Sequence, residues 1–147
     1  MNKDRTRNKS NRRTKRVILI ACEGKNKTEK YYFNSFIGRE KDYVIKIVPG
    51  NETDPMSLVK QTINKSHEYS LNLKEDDKAF CVFDTDTDIR KNAQINAAIN
   101  LAHDNGIDVI TSCPCIELWF LLHFEYTTGF LDNSLVLSKL KNIYQNI

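Results

Sequence analysis

Apolar runs alternate with helical patterns four times along the chain, and this constrains the fold more than any other feature. Each run is short, continuous and rich in β-branched residues, which is typical of a strand covered on both faces. The runs are VILIAC (17–22), YVIKIV (43–48), AFCVF (79–83) and IDVIT (107–111). Strands that alternate with helices form right-handed βαβ crossovers and a parallel sheet. We therefore predict an α/β fold with a mostly parallel four-stranded sheet flanked by helices.

The segments between these runs carry signals that start and stop helices. Asn26 is predicted to cap a first helix, with Glu29 three residues on as in a capping box, and Gly38 to end it. Asp54 and Pro55 predict the start of a second helix, because proline is tolerated in a first helical turn. A third helix is marked by an apolar stripe of Ile95, Ala98, Ile99 and Ala102.

A fourth helix is predicted from about Pro114, in the segment CPCIELWFLLHF. It is apolar nearly all round, which indicates a buried helix. We expect its large apolar side chains to lie in the core, namely Trp119, Phe120, Leu121 and Leu122. Glu117 stands out there, because a charged side chain among buried neighbours needs a partner or a metal ion. The alternative is a favourable contact between Glu117 and the positive end of the helix dipole.

Length and composition fit one domain. The 147 residues are 40% hydrophobic, which is enough to bury a core. No apolar run approaches the roughly 20 residues that cross a bilayer, and no apolar segment follows the basic N-terminus as in a secretory signal. We therefore expect a cytoplasmic protein with no membrane partner and with reduced cysteines. The sequence has no G-x-x-x-x-G-K-[ST] motif, which excludes ATP hydrolysis by a P-loop.

Positive charge is concentrated at the N-terminus. Residues 1–16 hold eight Lys or Arg and one Asp, which is +7 in a chain whose net charge is +3. We predict that this segment is a flexible basic arm and that residues 17–147 form the domain. The arm could hold a nucleic-acid backbone, with a solubility tail or a localisation signal as the alternatives. The basic residues nearest the domain are Arg12, Arg13, Lys15 and Arg16.

Acidic residues follow three of the predicted strands, at the edge of the sheet where open α/β folds bind ligands. They are Glu23 after the first strand, Asp84, Asp86 and Asp88 after the third, and Glu117 after the fourth. The three aspartates occupy alternate positions, so they point to one side while the chain is extended. Carboxylates about 5 Å apart repel each other by roughly 3 kcal/mol per pair at an effective dielectric near 20. A divalent cation removes that cost, and all-oxygen ligands favour Mg²⁺ or Mn²⁺.

Simpler interpretations stay open for these residues. The stretch DTDTD (84–88) could be a solvated loop that caps the third helix, as Asx residues commonly do. Glu23 precedes a glycine, and this pair is common in turns. Lys25 and Lys27 lie just past Glu23, where they could hold phosphate oxygens near a helix start or could simply face solvent.

Three stretches of this sequence resemble blocks of the RloB-like family: ILIACEGKNKTEKYYF, CVFDTDTD and SCPCIELWFLLHF. They occur in the family's order and rough spacing, and the resemblance covers about residues 17–126. RloB-like proteins are assigned to the TOPRIM-type fold, a Rossmann-like α/β domain shared with topoisomerases, bacterial primases and several nucleases. The resemblance implies that divalent metal for phosphodiester chemistry is held by Glu23, Asp84, Asp86 and Asp88. Glu117 matches an acidic position of the family's late block.

The resemblance also implies a bacterial anti-phage role, often beside an ATPase encoded nearby. We expect a Mg²⁺-dependent or Mn²⁺-dependent nuclease that hydrolyses DNA or RNA with water, as an effector of abortive infection. The catalytic residues would be Glu23, Asp84, Asp86 and Glu117. The alternatives are a non-catalytic binding or regulatory partner of an ATPase and a primase-type nucleotidyl transferase. The chain is shorter than expected for the family and stops inside a helical pattern, so a C-terminal part of the site or interface could be absent.

Overall fold

The computed structural model describes residues 15–23, 28–39, 41–48, 54–85 and 92–145. Within them the chain forms the strands β1 (Arg16–Cys22), β2 (Tyr43–Val48), β3 (Lys78–Asp84) and β4 (Asp108–Ser112). It also forms the helices α1 (Thr28–Asn34), α2 (Pro55–Glu68), α3 (Asn92–Asp104), α4 (Glu117–Leu121) and α5 (Asn133–Gln145). The predicted α/β class is confirmed. None of the helices in these residues is long and apolar enough to span a membrane.

The four strands form one sheet in the order β2-β1-β3-β4, and every neighbouring pair is parallel. The chain moves from β1 to β2 on one side and then returns past β1 to β3 and β4 on the other. The strand order therefore reverses between β1 and β3. Open α/β sheets bind ligands at such a switch point, outside the carboxyl ends of the strands.

Helices cover both faces of the sheet, as continuous apolar strands predict. On one face, Leu19 is fully buried in a core that α2 and α3 complete. On the other face, Ile20 and Val82 pack with Phe33 of α1. Because side chains alternate along a strand, Asp84 at the end of β3 shares the α1 face with Val82. The fold thus directs the last side chain of β3 towards α1.

The first helix is shorter than the sequence predicts. It ends at Asn34 instead of near Gly38, and residues 35–36 form a turn. The Ser35 hydroxyl donates a hydrogen bond to the carbonyl oxygen of Tyr32. Side-chain hydrogen bonds of this kind compete with helical ones, which accounts for the early end.

The fourth helix is also short, and its surroundings differ from the prediction. Leu121 is fully buried in a third apolar cluster, which α4 forms with α5. The prediction that Trp119 and Leu122 lie in the core is wrong, because their exposed fractions are 50% and 45%. A five-residue helix turns only one side towards α5, so side chains on its other sides stay at the surface.

Candidate acidic site

The acidic site is built where β1 and β3 end side by side. The Glu23 amide donates a hydrogen bond to the Val82 carbonyl oxygen at 2.9 Å, which extends the parallel pairing one residue beyond β1. The Asp84 amide then lies 3.3 Å from Glu23 Oε2. Two acidic residues that are 61 positions apart in the chain are therefore neighbours in the fold.

Asp84 is the acidic residue of the site whose pKa is most clearly raised. The pKa of its carboxyl is raised to about 7, first by burial and then by the nearby carboxylates of Glu29, Glu117 and Glu23. A hydrogen bond from the Ile116 amide, at the start of α4, acts in the opposite direction. The charged form of Asp84 is thus disfavoured by its neighbours and supported by one backbone donor.

Glu29 is a member of this site that the sequence reasoning missed. It is the second residue of α1, and its exposed fraction is only 4%. Burial raises the pKa of its carboxyl, its own backbone amide lowers it, and Glu117 and Glu23 raise it again. The predicted capping box assigned Glu29 to a partnership with Asn26, which lies outside the described residues. The charges of Glu117 and Glu23 act on the buried carboxyl of Glu29.

A sequence signal for Glu29 did exist. Glu29 and Phe33 are four residues apart on α1, so they share a helix face. Phe33 packs against Ile20 and Val82 on the sheet. The face that buries Phe33 therefore also buries Glu29, and this spacing could have identified the carboxyl as inward-facing.

Glu117 reaches the site from the first turn of α4. The Cys115 thiol donates a hydrogen bond to the Glu117 carboxylate. Burial, followed by this contact with Glu117, raises the pKa of Cys115 to about 11. The thiol thus stays protonated as a donor, which makes it a partner of Glu117 and a poor nucleophile.

An aromatic contact holds α4 against α1. Trp119 Nε1 donates a hydrogen bond to the Tyr32 hydroxyl at 3.1 Å, across 87 positions of sequence. The rings of Tyr32 and Phe120 lie 5.4 Å apart. Because Glu117 and Glu29 belong to these two helices, the contact helps to set their separation. Sequence patterns gave no sign of this pairing.

Three carboxylates of the site have no cationic partner among the residues that the structure describes. Among the described residues, no Lys or Arg forms an ion pair with Glu29, Asp84 or Glu117. Glu29 Oε2 is buried and has no hydrogen-bond partner there. Negative charge that no described ion pair compensates fits a divalent cation, and carboxylate oxygens are donors that Mg²⁺ and Mn²⁺ prefer.

The carboxylates adjoin one another without enclosing an ion. Within the described part of the chain, no three Asp, Glu, His or Cys side chains converge as a metal cage does. Asp86 and Asp88, two of the predicted metal ligands, lie outside the described residues. The structure therefore brings together Glu23, Asp84 and Glu117 of the predicted set and adds Glu29 to them.

The predicted phosphate-binding residues have different places. Lys25, Lys27, Arg12 and Arg13 lie outside the described residues. Lys15 Nζ donates to the Arg39 carbonyl oxygen at 2.8 Å, and Arg16 Nη2 lies 2.6 Å from Asp42 Oδ2. Arg16 begins β1, so it lies about 20 Å from the acidic site at roughly 3.3 Å per strand residue. It therefore cannot contact the same phosphate as Glu23.

A family model described as RloB-like protein matches residues 18–146 of the chain. The match includes every member of the acidic site and α5 as well, and so extends beyond the three sequence blocks. No curated protein and no solved structure gives a significant match.

Proposed function

The chain belongs to the RloB-like family, and from this premise we propose that it is a metal-dependent nuclease that hydrolyses phosphodiester bonds. The observation that carries the proposal is the meeting of Glu23 and Asp84 at the switch point of a parallel sheet, with Glu117 nearby. Acidic residues gathered at the ligand-binding edge of such a sheet suit a cation that contacts phosphate.

The metal ligands in this proposal are Glu23, Asp84, Asp86 and Asp88. When bound, Mg²⁺ or Mn²⁺ would polarise the phosphate, lower the pKa of the attacking water and stabilise the leaving oxygen. The backbone amide of Ile116 keeps Asp84 oriented through its hydrogen bond to that carboxyl. This donor also favours the ionised form of Asp84, which is the form that binds a cation.

Glu117 has a separate role in this mechanism, as the residue that orients the attacking water and accepts its proton. The water oxygen attacks phosphorus, the bond from phosphorus to the leaving oxygen breaks, and a proton reaches the leaving oxygen from solvent. The Cys115 thiol, which donates to the Glu117 carboxylate, holds that side chain in place. Lys25 and Lys27, just past Glu23 in the sequence, would hold the other phosphate oxygens.

The test is cleavage by purified protein of labelled single-stranded and double-stranded DNA, tRNA and single-stranded RNA, with Mg²⁺ or Mn²⁺. Asp84→Asn should abolish cutting of whichever substrate is cut, while Asp108→Asn should cut within about twofold of wild type. Asp108 is the matched control because it is an exposed aspartate at the first residue of β4, and so at the amino end of the sheet, opposite the acidic site. Equal cutting by the Asp84→Asn protein would contradict the proposal.

The basic arm supports the same proposal by its charge. Residues 1–16 carry +7, so they would release counterions on binding phosphates. Deletion of residues 1–14 should weaken nucleic-acid binding and flatten its dependence on salt. Equal affinity and equal salt dependence would assign the arm to solubility.

In a bacterium, such a nuclease would act as an effector of anti-phage defence by abortive infection, controlled by an ATPase encoded nearby. Expression of the chain in bacteria should slow growth, and Asp84→Asn should relieve the toxicity. A wild-type protein that is harmless alone but toxic with the ATPase during infection would place control in the partner.

A non-catalytic partner of an ATPase is the second candidate, and one observation favours it. The surface around α1 and α4 exposes large apolar side chains, with exposed fractions of 66% for Tyr31, 46% for Phe36, 50% for Trp119 and 50% for Phe124. Exposed apolar residues that cluster often mark a protein interface. This candidate predicts a stable complex with the ATPase by size-exclusion chromatography, and no cleavage of any of the four substrates. Phe124→Ser should weaken that complex.

A further inference from the structure

Trp119 is the only tryptophan of the chain, and the proposed mechanism gives it no role. Its exposed fraction is 50%, although it belongs to the short helix that also carries Glu117. The Trp119 amide donates a hydrogen bond to the Ile116 carbonyl oxygen at 2.9 Å, so the two residues are one helical turn apart. One turn rises about 5 Å. A large aromatic ring is therefore exposed close to the start of α4.

Strand pairing places the start of α4 at the acidic site. Asp84 and Ser112 are register partners at the ends of β3 and β4. The Thr85 amide extends this pairing by donating to the Ser112 carbonyl oxygen at 2.7 Å. Glu117 begins α4 soon after Ser112, so the helix starts at the carboxyl end of the sheet, where Glu23 and Asp84 meet.

The ring of Trp119 is held in one orientation. Its Nε1 atom donates a hydrogen bond to the Tyr32 hydroxyl at 3.1 Å. The ring of His123 packs edge-on against it, with centroids 4.9 Å apart and 83° between the planes. The only polar group of the indole is thus satisfied, and the exposed area that remains is apolar ring surface. A ligand that stacks on this ring costs little side-chain entropy, because the ring is already ordered.

A second exposed ring contacts the same tyrosine. Phe36 is 46% exposed, and its ring centroid lies 5.2 Å from that of Tyr32. Tyr32, Phe36 and Trp119 therefore form one aromatic surface, which connects α1 to α4. Proteins hold single-stranded nucleic acids by stacking bases on aromatic side chains of this kind. Bases inside a duplex have both faces covered by their neighbours, so only an unpaired base can stack in this way.

Charge indicates that the occupant of the aromatic surface carries phosphate. The acidic residues beside it suit a divalent cation, and a cation of this kind contacts phosphate. Residues 1–16 of the same chain carry +7, which also attracts phosphate. A nucleotide combines phosphate with a flat aromatic face, whereas an apolar side chain of a protein partner supplies no phosphate.

We propose that Trp119 stacks on an unpaired base of a single-stranded nucleic acid, so that the aromatic surface positions the strand at the acidic site. This inference rests on the proposed function, because it names single-stranded nucleic acid as the substrate class of the same site. Trp119 is a positioning residue in this proposal and takes no part in the chemistry. DNA and RNA bases present the same flat faces, and the experiment separates them.

The test follows the fluorescence of Trp119, which reports on this one position because the chain has no other tryptophan. The wild-type protein is titrated with a strand of thymidine nucleotides, a strand of uridine nucleotides, and a duplex of the thymidine strand with its complement. Ca²⁺ replaces Mg²⁺, so that binding is measured without cleavage. At least one single strand should quench most of the fluorescence, and the duplex should need at least about a tenfold higher concentration.

Variants separate stacking from a structural role of the indole. Trp119→Leu removes the aromatic face, so it should weaken binding of a labelled single strand by about tenfold in fluorescence anisotropy. Trp119→Phe keeps an aromatic face but loses the hydrogen bond to Tyr32, and it should bind within about threefold of wild type. Tyr69→Leu is the matched control and should bind within about twofold, because it removes a 38% exposed ring at the C-terminal end of α2. The quenching measurement needs no variant, and so it tests the proposal even if Trp119→Leu does not fold.

The outcomes separate this inference from the nuclease proposal. Quenching by only one of the two strands would support the inference and identify the substrate as DNA or as RNA. Unchanged fluorescence in a protein that cleaves these strands would overturn the inference alone, as would equal quenching by the duplex. Quenching in a protein that cleaves nothing would support the inference while the nuclease proposal fails. A protein that neither binds nor cleaves any strand would overturn both.

Discussion

The pKa values of acidic side chains shift in opposite directions at the two ends of the sheet. At the amino end, the hydrogen bond from Arg16 and its charge lower the pKa of Asp42. Asp77 there accepts hydrogen bonds from the backbone amides of Val17 at 2.6 Å and Asn72 at 2.9 Å. At the carboxyl end, burial and neighbouring carboxylates raise the pKa of Asp84 to about 7.

This difference shows that the surroundings of an acidic side chain, and not its residue type, distinguish a structural acid from a candidate functional one. Asp42 and Asp77 each connect the start of β1 to a neighbouring loop, and donors stabilise their charge. At the carboxyl end, Asp84 accepts a hydrogen bond from the Ile116 amide, but burial and the neighbouring carboxylates still disfavour its ionised form. Carboxylates whose pKa values are raised by burial and by one another are common at functional sites, where a bound ligand can offset their repulsion.

The largest expected effect is a loss of cleavage when a carboxylate at the carboxyl end of the sheet is removed. Glu23→Gln should reduce the cleavage rate by at least about a hundredfold, because it removes a ligand from the proposed metal site. Asp42→Asn, at the other end of the sheet, should leave the rate within about twofold. Rates from single-turnover cleavage of the same labelled strand check this. A similar loss in both variants would mean that the two ends do not differ in function.

The next effect is on stability and falls at the amino end. Asp77→Ala leaves two backbone amides without their acceptor, so it should lower the free energy of unfolding by about 2 kcal/mol. Urea unfolding followed by circular dichroism measures the loss. Mn²⁺ affinity should not change, since Asp77 is remote from the acidic site. An Asp77→Ala protein that is as stable as wild type would show that these hydrogen bonds do not hold β1 in place.

The smallest effect is the dependence of stability on pH in the absence of divalent cations. The carboxyl of Asp84 has its pKa raised from 3.8 to about 7, so the folded protein holds a proton that the unfolded chain has lost between these values. The free energy of unfolding should therefore fall as the pH rises from about 4 to about 7 and stay level above that. Glu29, whose pKa is also raised, acts in the same direction.

Asp84→Asn should remove part of the fall in the free energy of unfolding between pH 4 and pH 7. It should therefore stabilise the cation-free protein at pH 8 by about 1–2 kcal/mol. The expected effect is smaller than the full pKa shift implies, because Asp84 is only partly buried. Urea titrations at several pH values in the presence of a chelator test it, with Asp108→Asn as the control. If the Asp84→Asn protein has the same pH profile as wild type, then the pKa of the Asp84 carboxyl is not raised in the folded protein.

Much of the fold could be predicted because its signals are local. The strand runs and the Asp54-Pro55 helix start depend on near neighbours in sequence, and Asp54 indeed accepts hydrogen bonds from the amides of Met56 and Ser57. The parallel sheet then places residues that follow β1 and β3 at one edge. That is why Glu23 and Asp84 could be expected near each other before the structure was known.

Other features depended on contacts that no local pattern contains. Trp119 was expected in the core, but it lies half-exposed and bonded to Tyr32, because α4 is too short to bury all its sides. Glu29 was expected in a first helical turn, where it lies, but its burial beside the other carboxylates was not expected.

The sequence by itself determined the succession of strands and helices along the chain, because hydrophobic periodicity marks them. It also determined that acidic residues gather at one edge of the sheet, because parallel strands end at the same edge. Only the tertiary structure decided which carboxylates share that edge with Asp84, and how strongly they oppose its ionisation. Burial and the distance between charges set that opposition, and both arise only when α1 and α4 pack against the finished sheet.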